Sequence, residues 1–325
     1  MILITGGAGY IGSHVNKLLS ESGYETIVID NLVTGHVEAV RWGKLEVADL
    51  NDLDRLKQLF SKYKFETVFH FAAYAYVGES IVKPAKYYRN NVANTINLLD
   101  VMRENNTKKI IFSSTCATYG IPETVPIKED APQNPINPYG QTKLMMEQIL
   151  RDYHEAYGID YSCLRYFNAA GADPNGEIGE NHDPETHIIP LVLDAAADIK
   201  KSISVFGTDY PTRDGSCIRD YIHVMDLAKA HVQAMDYLIN GNESCCINLG
   251  NGAGISVFEI IDAVKRVTGQ DIRVNISPRR PGDPPELVGS AELAKELLGW
   301  KPQFSDIEIM ISHAWQWHQK TMFNR

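Results

Sequence analysis

The sequence predicts an α/β fold, a doubly wound parallel (Rossmann) sheet with a smaller C-terminal α/β substrate domain. Three observations carry that expectation. Short apolar strands alternate with helical patterns through the first half of the chain, a glycine-rich turn joins the first strand to the first helix, and the second strand ends in an acid. Strands joined through helices need crossover connections, which make neighbouring strands parallel and bury the sheet on both faces.

The first strand, Ile2-Leu3-Ile4, runs into Thr5-Gly6-Gly7-Ala8-Gly9-Tyr10-Ile11-Gly12, and a helical pattern follows through Val15, Leu18 and Leu19. Gly6, Gly9 and Gly12 recur every third residue, and Gly7, Gly9 and Gly12 also satisfy G-x-G-x-x-G. Without side chains the backbone can approach a pyrophosphate at the helix N-terminus. The second strand, Thr26-Ile27-Val28-Ile29, ends in Asp30, where a carboxylate accepts from adenosine ribose hydroxyls. An acid there repels a 2′-phosphate and no arginine follows immediately, so NAD is expected over NADP. Lys44 to Val47 reads as the third strand, with Asp49-Leu50 behind it; Asp49 meets the adenine or simply begins the next turn. A helix should run from Asp52 to about Tyr63. The fourth strand, Thr67 to His70, ends in Phe71-Ala72-Ala73, whose small residues suit close backbone approach to a cofactor. One long helix is expected over roughly 84–104, including Asn91. The fifth strand, Lys109 to Ser113, delivers Ser114-Thr115-Cys116 to the carboxyl edge of the sheet, where open parallel sheets bind ligands.

The chemistry centres on Tyr139-Gly140-Gln141-Thr142-Lys143, because residues four apart share a helical face. A phenol ionises near pH 10 and needs a fixed cation before it can take a proton from an alcohol at neutral pH. Lys143 is that cation. Pro135, Asn137 and Pro138 place Tyr139 in the first turn, where orphan N–H groups favour negative charge.

After a sixth strand, Tyr161 to Tyr166, the texture changes: Gly171 to His187 is rich in Gly, Pro, Asn and Asp and reads as a binding loop. His182, Asp183, Glu185 and His187 have the composition of metal ligands, but their spacing fits no helix face or recognised set, so no metal is expected. A helix from about Pro190, a strand near Ile203 to Phe206, a helix Val224 to Ile239 and a strand Cys245 to Leu249 returning to the main sheet follow. The expected division is residues 1–167, with a returning segment of about 215–250, for the dinucleotide, and 168–325 for the substrate. Arg219, Arg280 and Asp283 sit in loop-like contexts suited to a diphosphate and a ribose.

Composition limits the partners. The formal charge of −10 over 325 residues argues against nucleic acid and anionic membranes, which need a cationic face. Five cysteines without a C-x-x-C pair fit a reducing compartment, and no apolar run reaches membrane-spanning length, so a cytoplasmic chain is expected. Leu144, Met145, Ile149 and Tyr153 offer more apolar surface than one sheet face needs, which predicts a twofold homodimer through the 84–104 and 139–157 helices.

Several longer stretches carry a resemblance: Thr5 to His14, Val77-Gly78-Glu79-Ser80, Pro138-Tyr139-Gly140 with Lys143, Arg165-Tyr166-Phe167-Asn168, Phe206 to Thr212, and Arg219-Asp220-Tyr221-Ile222-His223-Val224. Over nearly the whole chain they resemble the extended short-chain dehydrogenase/reductase family, in particular its nucleotide-sugar 4-epimerases. The resemblance implies NAD held as a prosthetic group and a UDP-hexose whose C4 is inverted, UDP-galactose to UDP-glucose, through a transient 4-keto sugar. It implies catalytic roles for Tyr139, Lys143 and Thr115. It places NAD against Gly6, Gly9, Tyr10, Ile11, Gly12, Asp30, Asn31, Asp49, Leu50, Phe71, Ala72, Ala73, Asn91, Tyr139, Lys143 and Phe167. It places UDP-sugar against Thr115, Asn168, His187, Ile188, Ser204, Val205, Phe206, Arg219, Arg280, Asp283 and Leu287. Three positions depart from the family's usual pattern: Ala75 stands where some members carry lysine near the cofactor, Thr115 replaces a serine, and Leu287 occupies the gate of the sugar pocket. The Phe71 to Ser80 and Ser113 to Gly120 stretches are also similar to UDP-pentose epimerases, so UDP-pentose and UDP-N-acetylglucosamine remain alternative substrates. A 4,6-dehydratase would need an acid and a base beside Thr115, and Cys116 and Ala117 stand there.

Overall fold

The computed structural model describes residues 1–280 and 283–322, so the expected contribution of Pro281 and Gly282 to a phosphate-binding loop lies outside the described residues. The strands β1 (Ile2–Thr5), β2 (Thr26–Asp30), β3 (Lys44–Val47), β4 (Thr67–His70), β5 (Lys109–Thr115) and β6 (Asp160–Tyr166) form one parallel sheet with the strand Cys245–Leu249. Its order is Cys245–Leu249, β6, β5, β4, β1, β2, β3. The chain therefore winds outward in one direction from β1 to β3 and in the other from β4 to β6. Between the carboxyl ends of β1 and β4 the crossovers diverge and leave a crevice.

Burial follows the two-residue period of strands. Ile2, Ile4, Val28, Phe69, Ile111, Leu164 and Ile247 pack on one face, under the helix α1 (Tyr10–Glu21) and the helix Val224–Ile239. Leu3, Ile27, Ile29, Val68, Ile110, Phe112 and Cys163 point the other way. They meet α2 (Leu53–Lys62) and the helices Asn94–Glu104 and Pro138–Tyr157. The return of Cys245–Leu249 to the sheet follows the sequence reading.

One expected element is divided. The single helix over 84–104 is instead a short helix Pro84–Tyr87, a wide π-helical turn Tyr88–Ala93 and the helix Asn94–Glu104. Asn91 lies in the wide turn, which aims its amide across to Tyr74 and Thr142. The Tyr139 helix has the expected bounds. Asn137 caps it by accepting from the Gly140 N–H at 2.9 Å, Pro138 occupies its first turn, and Gly158 closes it at φ 64°.

The smaller lobe has its own core of Ile189, Val192, Leu193, Val205, Ile260, Ile261, Val264, Met310 and Ile311. There the strand Ile203–Phe206 pairs in parallel with Val274–Ser277, and Ser256 with Glu259 forms a capping box for the helix Val257–Thr268. The strand Ile218–Arg219 lies between Ile255–Ser256 and Glu286–Leu287, which sets Arg219 opposite Leu287. Lys17 of α1 reaches into the 171–187 loop, meeting Asp173 and Glu177 at 2.6 Å each.

Behind the Tyr139 helix, Arg165 of β6 grips Glu147 with two bonds, Nε to Oε1 at 3.0 Å and Nη2 to Oε2 at 2.7 Å. Both side chains are almost fully buried. Removing the cation leaves a buried carboxylate without its partner, which typically costs about 3–5 kcal/mol. Arg165→Met should lower the unfolding free energy by about that amount in a urea titration. An unchanged midpoint would show that the pair does not hold the helix to the sheet.

Candidate active site

The crevice opens into a cavity of about 1310 Å³ bounded by the sheet edge on one side and the smaller lobe on the other. Sites for single small ligands run to roughly 1,000 Å³, so this space suits two ligands side by side.

The sheet side is set by the glycine turn. Gly6 has φ +72°, and a β-carbon there would lie 2.5 Å from the Ala72 nitrogen. A β-carbon on Gly12 would lie 2.4 Å from the Gly6 carbonyl oxygen. These two contacts exclude any side chain and hold the turn tight against the end of β4. Gly9 caps α1 without a side-chain acceptor, leaving the first-turn N–H groups to a ligand. At the end of β2 the Asp30 carboxylate accepts from Ala8 N at 3.0 Å and Leu32 N at 2.9 Å, and burial pushes its pKa up. Asn31 donates to Asp49 at 2.7 Å. Gly6, Gly9, Tyr10, Ile11, Gly12, Asp30, Asn31, Asp49, Leu50, Phe71, Ala72, Ala73 and Phe167 all line the cavity. A bare-backbone cradle at a helix N-terminus, with a carboxylate one strand away, fits the pyrophosphate and adenosine ribose of a dinucleotide.

At the middle of the cavity stand Thr115, Tyr139 and Lys143. Lys143 is 3 % exposed, donates to the Ser113 carbonyl oxygen at 2.7 Å, and sits 4.9 Å from the centre of the Phe112 ring. Burial pulls its pKa down to about 7. Burial likewise pushes the Tyr139 phenol up to about 12, with the Thr115 hydroxyl bond working against that rise. The sequence makes Lys143 the cation for a Tyr139 phenolate, and burial disfavours the charged form of each group.

The smaller lobe supplies the opposite wall: Asn168, His187, Leu191, Arg219, Arg280, Asp283 and Leu287. Arg219 donates to the Pro284 carbonyl oxygen at 2.9 Å and meets Asp283 at 3.2 Å, while the Arg280 guanidinium lies 3.9 Å over the Phe206 ring. Asn168 donates to the Asp220 carbonyl oxygen at 3.1 Å.

Five expected contact residues stand back from the wall. Asn91 is 3 % exposed and its amide is committed, accepting from Tyr74 N at 2.9 Å and donating to Tyr74 O at 3.0 Å. It clamps the 73–76 segment. Val205 belongs to the smaller lobe's core, and Phe206 underlies Arg280. Ser204 and Ile188 are likewise absent from the lining. Conversely, Tyr76, Tyr166, Glu180 and His182 line the cavity without having been expected as cofactor or sugar contacts. Tyr166, whose hydroxyl bonds Ser113 Oγ, was within reach of sequence reasoning, since it ends the strand next to Thr115.

The model of the GDP-mannose 4,6 dehydratase family matches residues 3–312. A UDP-glucose 4-epimerase of Halalkalibacterium halodurans is 52% identical over 98% of this chain and 96% of its own. Among solved structures, UDP-glucose 4-epimerase from Brucella ovis in complex with NAD superposes with a TM-score of 0.95 at 52% identity, covering 97% of each chain. The Bifidobacterium longum enzyme in complex with NAD+ and UDP gives 0.94 at 39% identity, covering 99% of this chain and 98% of its own.

The Lys143 environment makes a prediction about pH. Its folded value of about 7 lies below its ordinary 10.5, so between those values the unfolded chain binds the extra proton. The burial penalty is therefore fully present below pH 7 and is relieved as pH rises towards 10.5. In cofactor-free protein, unfolding free energy measured from pH 7 to 10 should climb relative to Lys143→Met by up to about 1.4 kcal/mol per pH unit. Parallel curves for the two proteins would rule out a depressed lysine.

Proposed function

The chain belongs to the GDP-mannose 4,6 dehydratase family and, within it, to the UDP-glucose 4-epimerases, and on that premise we propose that Tyr139, Lys143 and Thr115 carry out its inversion of C4 in a UDP-hexose. The supporting observation is that Thr115 at the carboxyl end of β5 and Tyr139 and Lys143 in the first turns of the helix Pro138–Tyr157 line one cavity whose far wall carries Arg219 and Arg280.

Bound NAD supplies the hydride acceptor and donor at C4 and a positively charged ring. The chain's own residues do the rest. Tyr139 takes the proton of the 4-hydroxyl, with Lys143 as the compensating cation, and Thr115 hydrogen-bonds the same oxygen and steadies the phenol. Arg219 and Arg280 hold the diphosphate, so the nucleotide stays while the hexosyl group turns at the ketone stage. Tyr139, directly or through Thr115, then returns the proton to the oxygen on the other face. Residues 1–167, with the part of the 215–250 segment that returns to the main sheet (Val224–Ile239 and Cys245–Leu249), hold the dinucleotide, and the rest of 168–325, Arg219 included, holds the UDP-sugar. Leu287, opposite Arg219 on the cavity wall, favours a second reading in which N-acetylated sugars also enter, since a leucine leaves the gate more open than a tyrosine. A Campylobacter jejuni structure at 43% identity is of a UDP-Glc/GlcNAc 4-epimerase.

Purified protein incubated separately with UDP-galactose, UDP-N-acetylgalactosamine and UDP-xylose should convert the first fastest, to UDP-glucose. Tyr139→Phe should cut turnover by about 10²–10⁴ while NAD and UDP stay bound. Near-normal turnover in that variant would remove Tyr139 as the base, and a faster pentose reaction would move the assignment to pentoses.

The five cysteines are all free and no helix among the described residues is long and apolar enough to cross a membrane. Free thiols suit a reducing compartment, so the reading extends to a cytoplasmic enzyme of galactose metabolism; cell fractionation recovering it elsewhere would reverse this. We also place it as a homodimer. Leu144, Met145, Ile149 and Tyr153 remain only partly buried on their helix, as does Ile96 on Asn94–Glu104. Sedimentation at micromolar concentration should give twice the 36.3 kDa chain mass. A monomer would refute the four-helix interface.

A further inference from the structure

The loop between Gly171 and the helix Ile188–Ala196 contains a cluster that takes no part in the proton transfer at C4. At Asp183-Pro184 the chain doubles back, and Glu180 and His182 come to face Glu185 and His187. Each of the four offers one ligand atom, and these atoms all lie within 4.8 Å of one another. Spacing along the sequence argued against a metal because no helix face joins these residues. The doubled-back loop joins them without a helix, bringing in Glu180 and leaving Asp183 out.

We propose that Glu180, His182, Glu185 and His187 form a binding site for one divalent transition-metal ion of the zinc class. The donor set is two imidazole nitrogens and two carboxylate oxygens, which suits such ions and not magnesium or calcium, whose sites are built from oxygen. The separations fit as well. His182 Nδ1 lies 3.1 Å from Glu180 Oε1 and 3.6 Å from Glu185 Oε2, and His187 Nδ1 lies 2.8 Å from Glu180 Oε1 and 2.9 Å from Glu185 Oε1. A tetrahedron with bonds of about 2.0–2.2 Å has edges of about 3.4 Å, so small side-chain adjustments seat an ion.

The surroundings are built rather than loose. The Glu180 carbonyl oxygen accepts from Trp317 Nε1 at 2.9 Å, and His36 Nε2 lies 3.0 Å from the Asn181 carbonyl oxygen. The His182 ring stands edge-on to both Tyr10 and Tyr76. The Tyr76 hydroxyl is buried without a hydrogen-bond partner in the structure. Four protein ligands complete a tetrahedral shell and leave no open position, which assigns the ion a structural task. It closes residues 180–187 on themselves and so fixes the His182 ring that packs edge-on against Tyr10 at the start of α1.

The competing account is that the two imidazoles and two carboxylates satisfy each other as ion pairs and bind no metal. The protein, with its NAD, is stripped with a chelator, dialysed and titrated with cobalt(II), then with zinc. Cobalt should bind at one equivalent per chain with the visible bands of a tetrahedral centre, and zinc should displace it. His182→Ala and Glu180→Gln should each weaken cobalt binding by about a hundredfold or more, beyond what loss of an outer-shell partner does. Glu180→Gln preserves side-chain shape, and retained NAD reports that the fold is intact. Substoichiometric binding, an octahedral spectrum, or affinity unchanged in Glu180→Gln would overturn the site.

Discussion

The structure depends on keeping water away from Lys143. An ammonium moved from its ordinary pKa of 10.5 to about 7 is opposed by several kcal/mol of lost hydration, and this is tolerated only because the surroundings are fixed. The Ser113 carbonyl oxygen and the Phe112 ring, both on β5, lie against the ammonium, and the Cys163 and Glu147 side chains partly offset the cost of burial. β5 in turn is held in register by β4 and β6, and the Tyr139 helix is anchored from behind through Glu147 and Arg165. The burial of Lys143 is thus a property of the packed sheet rather than of its own side chain.

What local spacing encodes was legible in the sequence. The glycine turn, Asp30 at the end of β2, and Tyr139 with Lys143 one helical turn on are all fixed by their own neighbours. What long-range contact decides was not. The amide of Asn91 faces Tyr74 and Thr142, because a wide turn redirects it. Val205 follows strand alternation into the core, away from the cavity lining. The adjacency of Arg219 and Leu287 comes from a short strand pairing that joins distant parts of the chain, and Glu180 meets two histidines only because the loop reverses.

The two lobes present different chemistry to the cavity. The sheet edge offers bare backbone and a carboxylate, and the proposed function gives these the dinucleotide by shape and hydrogen bonding. The smaller lobe offers guanidinium groups, and the same proposal gives these the diphosphate by charge. One buried tie between them is Lys17, whose ammonium is shared by Asp173 and Glu177. The overall charge of −10 therefore matters little to phosphate binding, since the cations that count are few and local.

The wide turn at Tyr88–Ala93 sets the phase of everything after it. An α-helix rotates about 100° per residue, so a turn that accommodates one residue more than a regular helix swings the following segment by about that angle. With that offset, Leu98, Leu99, Val101 and Met102 fall on the sheet and Asn94–Glu104 lies flat against it. The same offset carries Asn91 inward at the point of insertion. A single irregularity thereby works as a rotational gear between two requirements, one of packing and one of cavity shape, that a straight helix could not meet together.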